Sequence, residues 1–138
     1  MTRTTRQSIL VSAVVFALVA VLVLVFWPDG SGGQAVFTTS TGQHTVRLSV
    51  DGLQRGTNSF GLEVTDADGT PSAVDRVTVE PVMPHMGHAL APIEARTEAP
   101  GRFRADNADL PMSGPWELTV SLHAASGTEH VVFPLLVK

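Results

Sequence analysis

Trp116-Glu117-Leu118-Thr119-Val120-Ser121-Leu122 alternates apolar and polar residues without a break. A period of two puts Trp116, Leu118, Val120 and Leu122 on one face of a strand and the polar residues on the other. The same rhythm recurs in His44-Thr45-Val46-Arg47-Leu48-Ser49-Val50, in Phe60-Gly61-Leu62-Glu63-Val64-Thr65 and in Val77-Thr78-Val79-Glu80. Each run is rich in β-branched residues, which suit a half-buried strand. His130 to Val137 is more continuously apolar, as expected of a strand buried on both sides or of a core-facing terminal strand.

Turn chemistry separates these runs. Asp51-Gly52, Asp66-Ala67-Asp68-Gly69, Pro100-Gly101, Ser113-Gly114-Pro115 and Ser126-Gly127 supply the side-chain acceptors and permissive backbones that turns require. Asp66-Ala67-Asp68-Gly69 resembles a fragment of a calcium loop, but the glutamate and flanking helices of an EF-hand are missing, so a turn is expected. No long amphipathic helix is visible after Trp27. Short strands at this spacing predict an all-β, immunoglobulin-like antiparallel β-sandwich. Trp116, Phe103, Phe37, Phe60 and Phe133 are its expected aromatic core.

The sandwich is expected to follow one N-terminal transmembrane helix. Ile9 to Trp27 carries no charge, and 19 residues in a helix rise about 28 Å, near the thickness of a bilayer core. Arg3 and Arg6 precede the run and Trp27 stands at its far end, the positions of a cytoplasmic flank and an interfacial indole. A cleavable signal peptide is the competing reading, but it favours a shorter apolar region and an Ala-x-Ala site that is absent here. The division is a tail and anchor over 1–28, a Gly/Ser-rich linker over 29–34 and a folded domain over 35–138. The domain is expected outside a cytoplasmic membrane, in the periplasm or extracellular space.

Beyond Pro28 stand seven basic and thirteen acidic residues, a formal charge of −6 with histidine neutral. Such a surface argues against nucleic acid as a partner. There is no cysteine, so neither a disulfide nor a thiolate metal site is available. The motifs of serine hydrolases, phosphate-binding loops and zinc peptidases are missing as well, and Asp106 and Asp109 read as turn residues. No enzymatic activity is expected.

One hexapeptide stands apart. Met83-Pro84-His85-Met86-Gly87-His88 holds two of the four methionines and two of the five histidines. Thioethers select Cu(I), and imidazole serves both copper oxidation states. Proline suits a central strand poorly, so the segment reads as a loop leaving the Val77–Glu80 strand. In a helical turn Met83 and Met86 share a face. In an extended chain Met83 and His85 do. Met112, just before the Trp116 strand, is a further candidate ligand. Against this stands the ordinary use of methionine as a core gap-filler and of loop histidines as solvated groups. His44, His123 and His130 lack ligand-type neighbours and read as solvent-side or strand-end residues.

Two blocks, Met83-Pro84-His85-Met86-Gly87-His88 and Met112-Ser113-Gly114-Pro115-Trp116, with Pro100-Gly101-Arg102-Phe103 between them, resemble the YtkA-like domain, a family related in pattern to the FixH proteins. The resemblance extends over roughly Gln43 to Val137. It implies a small exported or membrane-anchored β-sandwich linked to copper supply and to assembly of haem-copper oxidases. It further implies Met83, Met86, His88 and Met112 as ligand positions, with His85 at the variable position of the motif. The expected cofactor is copper, Cu(I) before Cu(II), and the expected partner a haem-copper oxidase or another copper acceptor. The alternative is a metal-free immunoglobulin-like module that contacts a membrane complex.

Overall fold

The computed structural model of the protein describes residues 34–138. The expected transmembrane helix and all but the last residue of the expected linker lie outside this range. Among the described residues, no helix is long and apolar enough to cross a membrane. Nine strands follow in order: β1 (Gln34–Ser40), β2 (His44–Asp51), β3 (Gly56–Asp66), β4 (Arg76–Met83), β5 (His88–Ala89), β6 (Ile93–Ala99), β7 (Arg102–Leu110), β8 (Gly114–Ala124) and β9 (Gly127–Val137). Gln34, placed at the end of the linker by sequence, already pairs with Asp51 as the first residue of β1.

All pairings between these strands are antiparallel, in the order β1-β2-β3-β7-β6-β4-β8-β9, with β5 also on β4. β6 joins the two halves of this path. Its Ile93–Ala95 segment pairs with β4, and its Arg96–Ala99 segment pairs with β7. With β1 set aside, β2-β3-β7-β6 and β4-β8-β9 have the strand order of the two sheets of a constant-type immunoglobulin sandwich. The disulfide and tyrosine corner of antibody domains have no counterpart, because the chain contains neither cysteine nor tyrosine.

The alternation read in the sequence becomes the core. Val46, Leu48 and Val50 of β2 and Phe60, Leu62 and Val64 of β3 face Trp116, Leu118, Val120 and Leu122 of β8 and Val131, Phe133 and Leu135 of β9 in one buried cluster. Each such side chain contributes about 1.5–3 kcal/mol by leaving water. Phe103 is buried with them, and Phe37 packs against the cluster at its margin.

Two local expectations change, and at β9 and His44 the structure decides between alternatives. β4 does not stop at Glu80 but runs through Pro81 to Met83. Pro81 is tolerated because β4 changes partners there: β6 pairs only as far as Val79, and β5 begins at Val82. Of the two alternatives for β9, the structure shows the core-facing terminal strand, with Val131, Phe133, Leu135 and Val137 buried and the residues between them exposed. Asp106 and Asp109 lie within β7, not in a turn between strands. Between them the β3–β7 register shifts, and Asn107 adopts φ 60°, so turn-like residues serve as a bulge inside a strand. His44, finally, is the strand-end histidine of its two alternatives, the first residue of β2, and not a solvent-side one. Its side chain is 11% exposed, with Nδ1 against Glu129 and Nε2 3.6 Å from Asp66, so it ties β2 to β9 across the sandwich.

The other turn readings hold. Asp66–Gly69 closes through the Gly69 amide donating to the Asp66 carbonyl, and the Asp68 carboxylate accepts from Thr70. At the β6–β7 turn, Gly101 has φ 70°, its carbonyl accepts from the Val64 amide, and a Cβ would stand 2.7 Å from the Val64 carbonyl oxygen.

Gly101→Ala is therefore expected to destabilise the domain by at least about 1–2 kcal/mol from the left-handed backbone alone, read as a lower denaturation midpoint with unchanged slope. A second prediction concerns acid. Arg96 and Arg104 stand directly opposite each other across β6 and β7, and Asp106 contacts both. The hydrogen bond from Arg104, then one from Ser59, hold the Asp106 carboxyl below the usual aspartate range. Stabilisation from a depressed carboxyl is complete above that range and is lost as pH falls through the lower, folded-state value. Asp106→Asn is expected to lower stability at neutral pH and to flatten only the acid limb of a stability–pH curve.

Candidate metal centre

The hexapeptide forms a hairpin. Val77, Val79, Pro81 and Met83 are the inward residues of β4, and the chain leaves the core immediately after Met83. Pro84 opens a single 3-10 turn, Pro84–Met86, where its missing amide is no loss. Gly87 ends the turn at φ 64°, a conformation that favours glycine, and its amide donates to the Pro84 carbonyl at 3.1 Å. β5 then returns along β4, pairing His88 with Met83 and Ala89 with Val82. The Leu90 amide donates to the Pro81 carbonyl at 2.9 Å and fastens the base of the hairpin.

This geometry sorts the five candidate residues. Met83 and His88 are direct cross-strand partners, and such partners project to the same side of a sheet. Their environments differ: Met83 is 4% exposed within the core cluster, and His88 is exposed. Met86 is at the tip and 59% exposed, with His85 exposed beside it. Neither arrangement considered from sequence, a shared helical face or a fully extended segment, describes the hairpin. Met112 arrives from the β7–β8 connection and packs half-buried against the core. The methyl of Met83 lies 3.8 Å from where a Cβ on Gly114 would stand, so the inner end of the hairpin abuts the segment that carries Met112. Two methionines thus lie inside and at the margin of the core, while Met86, His85 and His88 face water.

Trp116 has a role beyond the core position expected of it. It is 2% exposed, and its indole Nε1–H donates to the Met112 carbonyl at 3.0 Å. The four-residue spacing from Met112 to Trp116 makes this hydrogen bond possible, and that spacing was the available sequence signal.

The donor set carries no charge of its own. From Pro81 to Pro92 there is no aspartate, glutamate, lysine or arginine, and the side-chain donors are methionine and histidine alone. Among the described residues no three histidines, aspartates or glutamates gather as a metal site. A neutral set of thioether and imidazole is matched to a soft monocation and gives a hard dication little compensation. His123 and His130 lie elsewhere, on β8 and β9, held by hydrogen bonds to Thr78, Thr128 and Ser121.

The YtkA-like family model matches residues 39–121, more than half of the chain, and includes both the hairpin and the Met112–Trp116 block. The chain belongs to the YtkA-like family. The match ends within β8, although in this YtkA-like domain β9 pairs along β8 from Gly114 to Ala124. Among solved structures, FetP of uropathogenic E. coli strain F11, recombinantly expressed in the E. coli periplasm, is similar in fold, with a TM-score of 0.53 and 8% identity, covering 75% of this chain and 93% of FetP. No curated protein matches the chain.

Trp116→Phe in the YtkA-like domain keeps an aromatic ring in the core but removes the Nε1–H that donates to the Met112 carbonyl. It is expected to cost about 1–3 kcal/mol in stability. Amide exchange at Met112–Gly114 is expected to accelerate more than exchange in β2 or β3. Equal acceleration throughout would show that the indole does not hold this segment specifically.

Proposed function

We propose that this YtkA-like protein is a non-catalytic extracytoplasmic accessory protein that holds copper, Cu(I) in preference to Cu(II), at the Met83–His88 hairpin and passes it to an acceptor protein. The observation that carries this reading is the pairing of Met83 with His88 beneath an exposed Met86, in a hairpin without a charged residue. Met86 and His88 are the outer ligands in this proposal, Met83 the inner one, and Met112 a reserve thioether from the neighbouring loop. His85, on the exposed turn, is the most dispensable member. Ligands reachable from solvent permit the exchange that a carrier needs, and no thiolate is present to build a blue-copper electron-transfer site. The apolar run Ile9–Trp27 is the proposed single-pass anchor, with the domain outside the cytoplasmic membrane. An assembling haem-copper oxidase is the proposed acceptor, by what is implied for the family.

A second reading has its own support. Met83 at 4% exposure is placed as a core residue fills a gap, which a metal-free interaction module also requires. The two readings separate in a competition titration of the full chain in detergent with Cu(I) and Cu(II). The copper reading expects one Cu(I) per chain. It also expects at least about a tenfold loss of affinity, equivalent to 1.4 kcal/mol, for Met86→Ala and for His88→Ala. Met83→Leu, which conserves volume, is expected to keep the fold and weaken Cu(I) binding. Weak binding that ignores all three substitutions sinks the copper reading and leaves the interaction module.

A further inference from the structure

β9 is apolar on both faces, but the sandwich covers only one of them. From Val131 to Val137 the strand has no polar side chain. Its inward residues are buried, while Val132 is 49% and Leu136 68% exposed, with Pro134 exposed between them. These are two of the four large hydrophobic residues that stand exposed among the described residues. The exposed side continues around the strand edge into a groove of about 600 Å³, whose lining includes Ala35 and Phe37 of β1, Leu53, Pro115, Pro134 and Leu136. A contiguous apolar surface of this kind marks a contact.

Three observations choose what covers it. First, β9 ends the strand order, but proline in an edge strand turns its missing donor toward the free edge. Pro134 therefore blunts β9 for pairing with a strand of a second copy. Second, the wall formed by Ala35 and Phe37 begins one residue after Gln34, and only six residues, Pro28–Gly33, separate Gln34 from the apolar run Ile9–Trp27. Six residues reach at most about 20 Å, so a bilayer holding that run lies within reach of the groove. Third, Lys138 is the one charged residue in the lining of the groove, so the contact is apolar first and does not require anionic lipid.

We propose that the groove and the outer face of β9 rest on the interfacial layer of the bilayer, with Leu136 and Leu53 entering the boundary between headgroups and acyl chains. The proposal rests on the anchor named above. It also orients the candidate metal centre. Leu136 pairs with Pro115, next to Gly114, which the Met83 methyl approaches, so the hairpin stands at the same end of the sandwich and meets a membrane-embedded acceptor more readily than a soluble one.

The chain has no cysteine, so a single introduced one can be labelled cleanly. The full chain, carrying a fluorophore at Leu136→Cys, at Leu53→Cys or at Ser126→Cys in the β8–β9 turn, is reconstituted in phosphatidylcholine vesicles containing acyl-brominated lipid. Flotation reports the anchor, and quenching by brominated lipid reports docking. The expected result is co-flotation of all three, with quenching several-fold stronger at positions 136 and 53 than at 126. A chain that does not float overturns the anchor and the docking together. Co-flotation with equal quenching at the three positions overturns the docking and leaves the anchor intact. Shielding of position 136 from aqueous iodide without quenching by brominated lipid means that protein covers the face, and it overturns the lipid assignment.

Discussion

With no cysteine in the chain, the two sheets are held by the burial of their inward faces and by the strand that passes between them. Everything else depends on that burial being continuous. β8 supplies its centre: it pairs with β9 along its whole length and with β4 from Glu117 to His123, so its four inward side chains meet residues from both sheets. At one end, His44 closes the sandwich against Glu129, a polar tie between sheets placed where the hydrophobic core runs out. At the other end, Trp116 closes it and bonds to the Met112 carbonyl.

Where one face of a strand is buried and the other is wet, the sequence states the strand plainly, as in β2 and β8. It becomes ambiguous where that condition fails. Pro81 argued for the end of a strand, since a ladder donor is missing, but β4 needs no donor where it passes from β6 to β5. Asp106 and Asp109 carry turn chemistry and sit at a bulge, which uses the same backbone freedom within a strand. The run of β9 left a doubly buried strand and a core-facing terminal strand equally open, because it is doubly apolar. Its position at the end of the strand order is a property of the whole topology and leaves no trace in the local pattern. The His44–Glu129 contact joins residues 85 positions apart, beyond any local spacing rule.

The candidate ligands follow the same division. Their identity and clustering were legible, because methionine and histidine are scarce in the chain. Their exposure was not. Met83 and Met86 are three residues apart, and one is at 4% exposure while the other is at 59%. The difference arises because β4 keeps its inward phase through Met83 and the 3-10 turn then carries Met86 off the sheet. Strand phase, set by pairing with β8, decides which thioether is core and which is surface.

That division bears on what the hairpin can do with a metal. A donor held in a packed core is already ordered, and binding costs it little further entropy. A donor at an exposed tip must be ordered on binding, and it is released as readily. In the proposed site, Met83 and the loop fastened by Trp116 form the preorganised half and Met86 and His88 the mobile half. An incoming acceptor could replace the mobile ligands one at a time while the inner thioether still holds the ion, so copper need not pass free through water. A site buried on all sides would bind more firmly but would have to open the sandwich to release its cargo, at the expense of the core on which the fold depends.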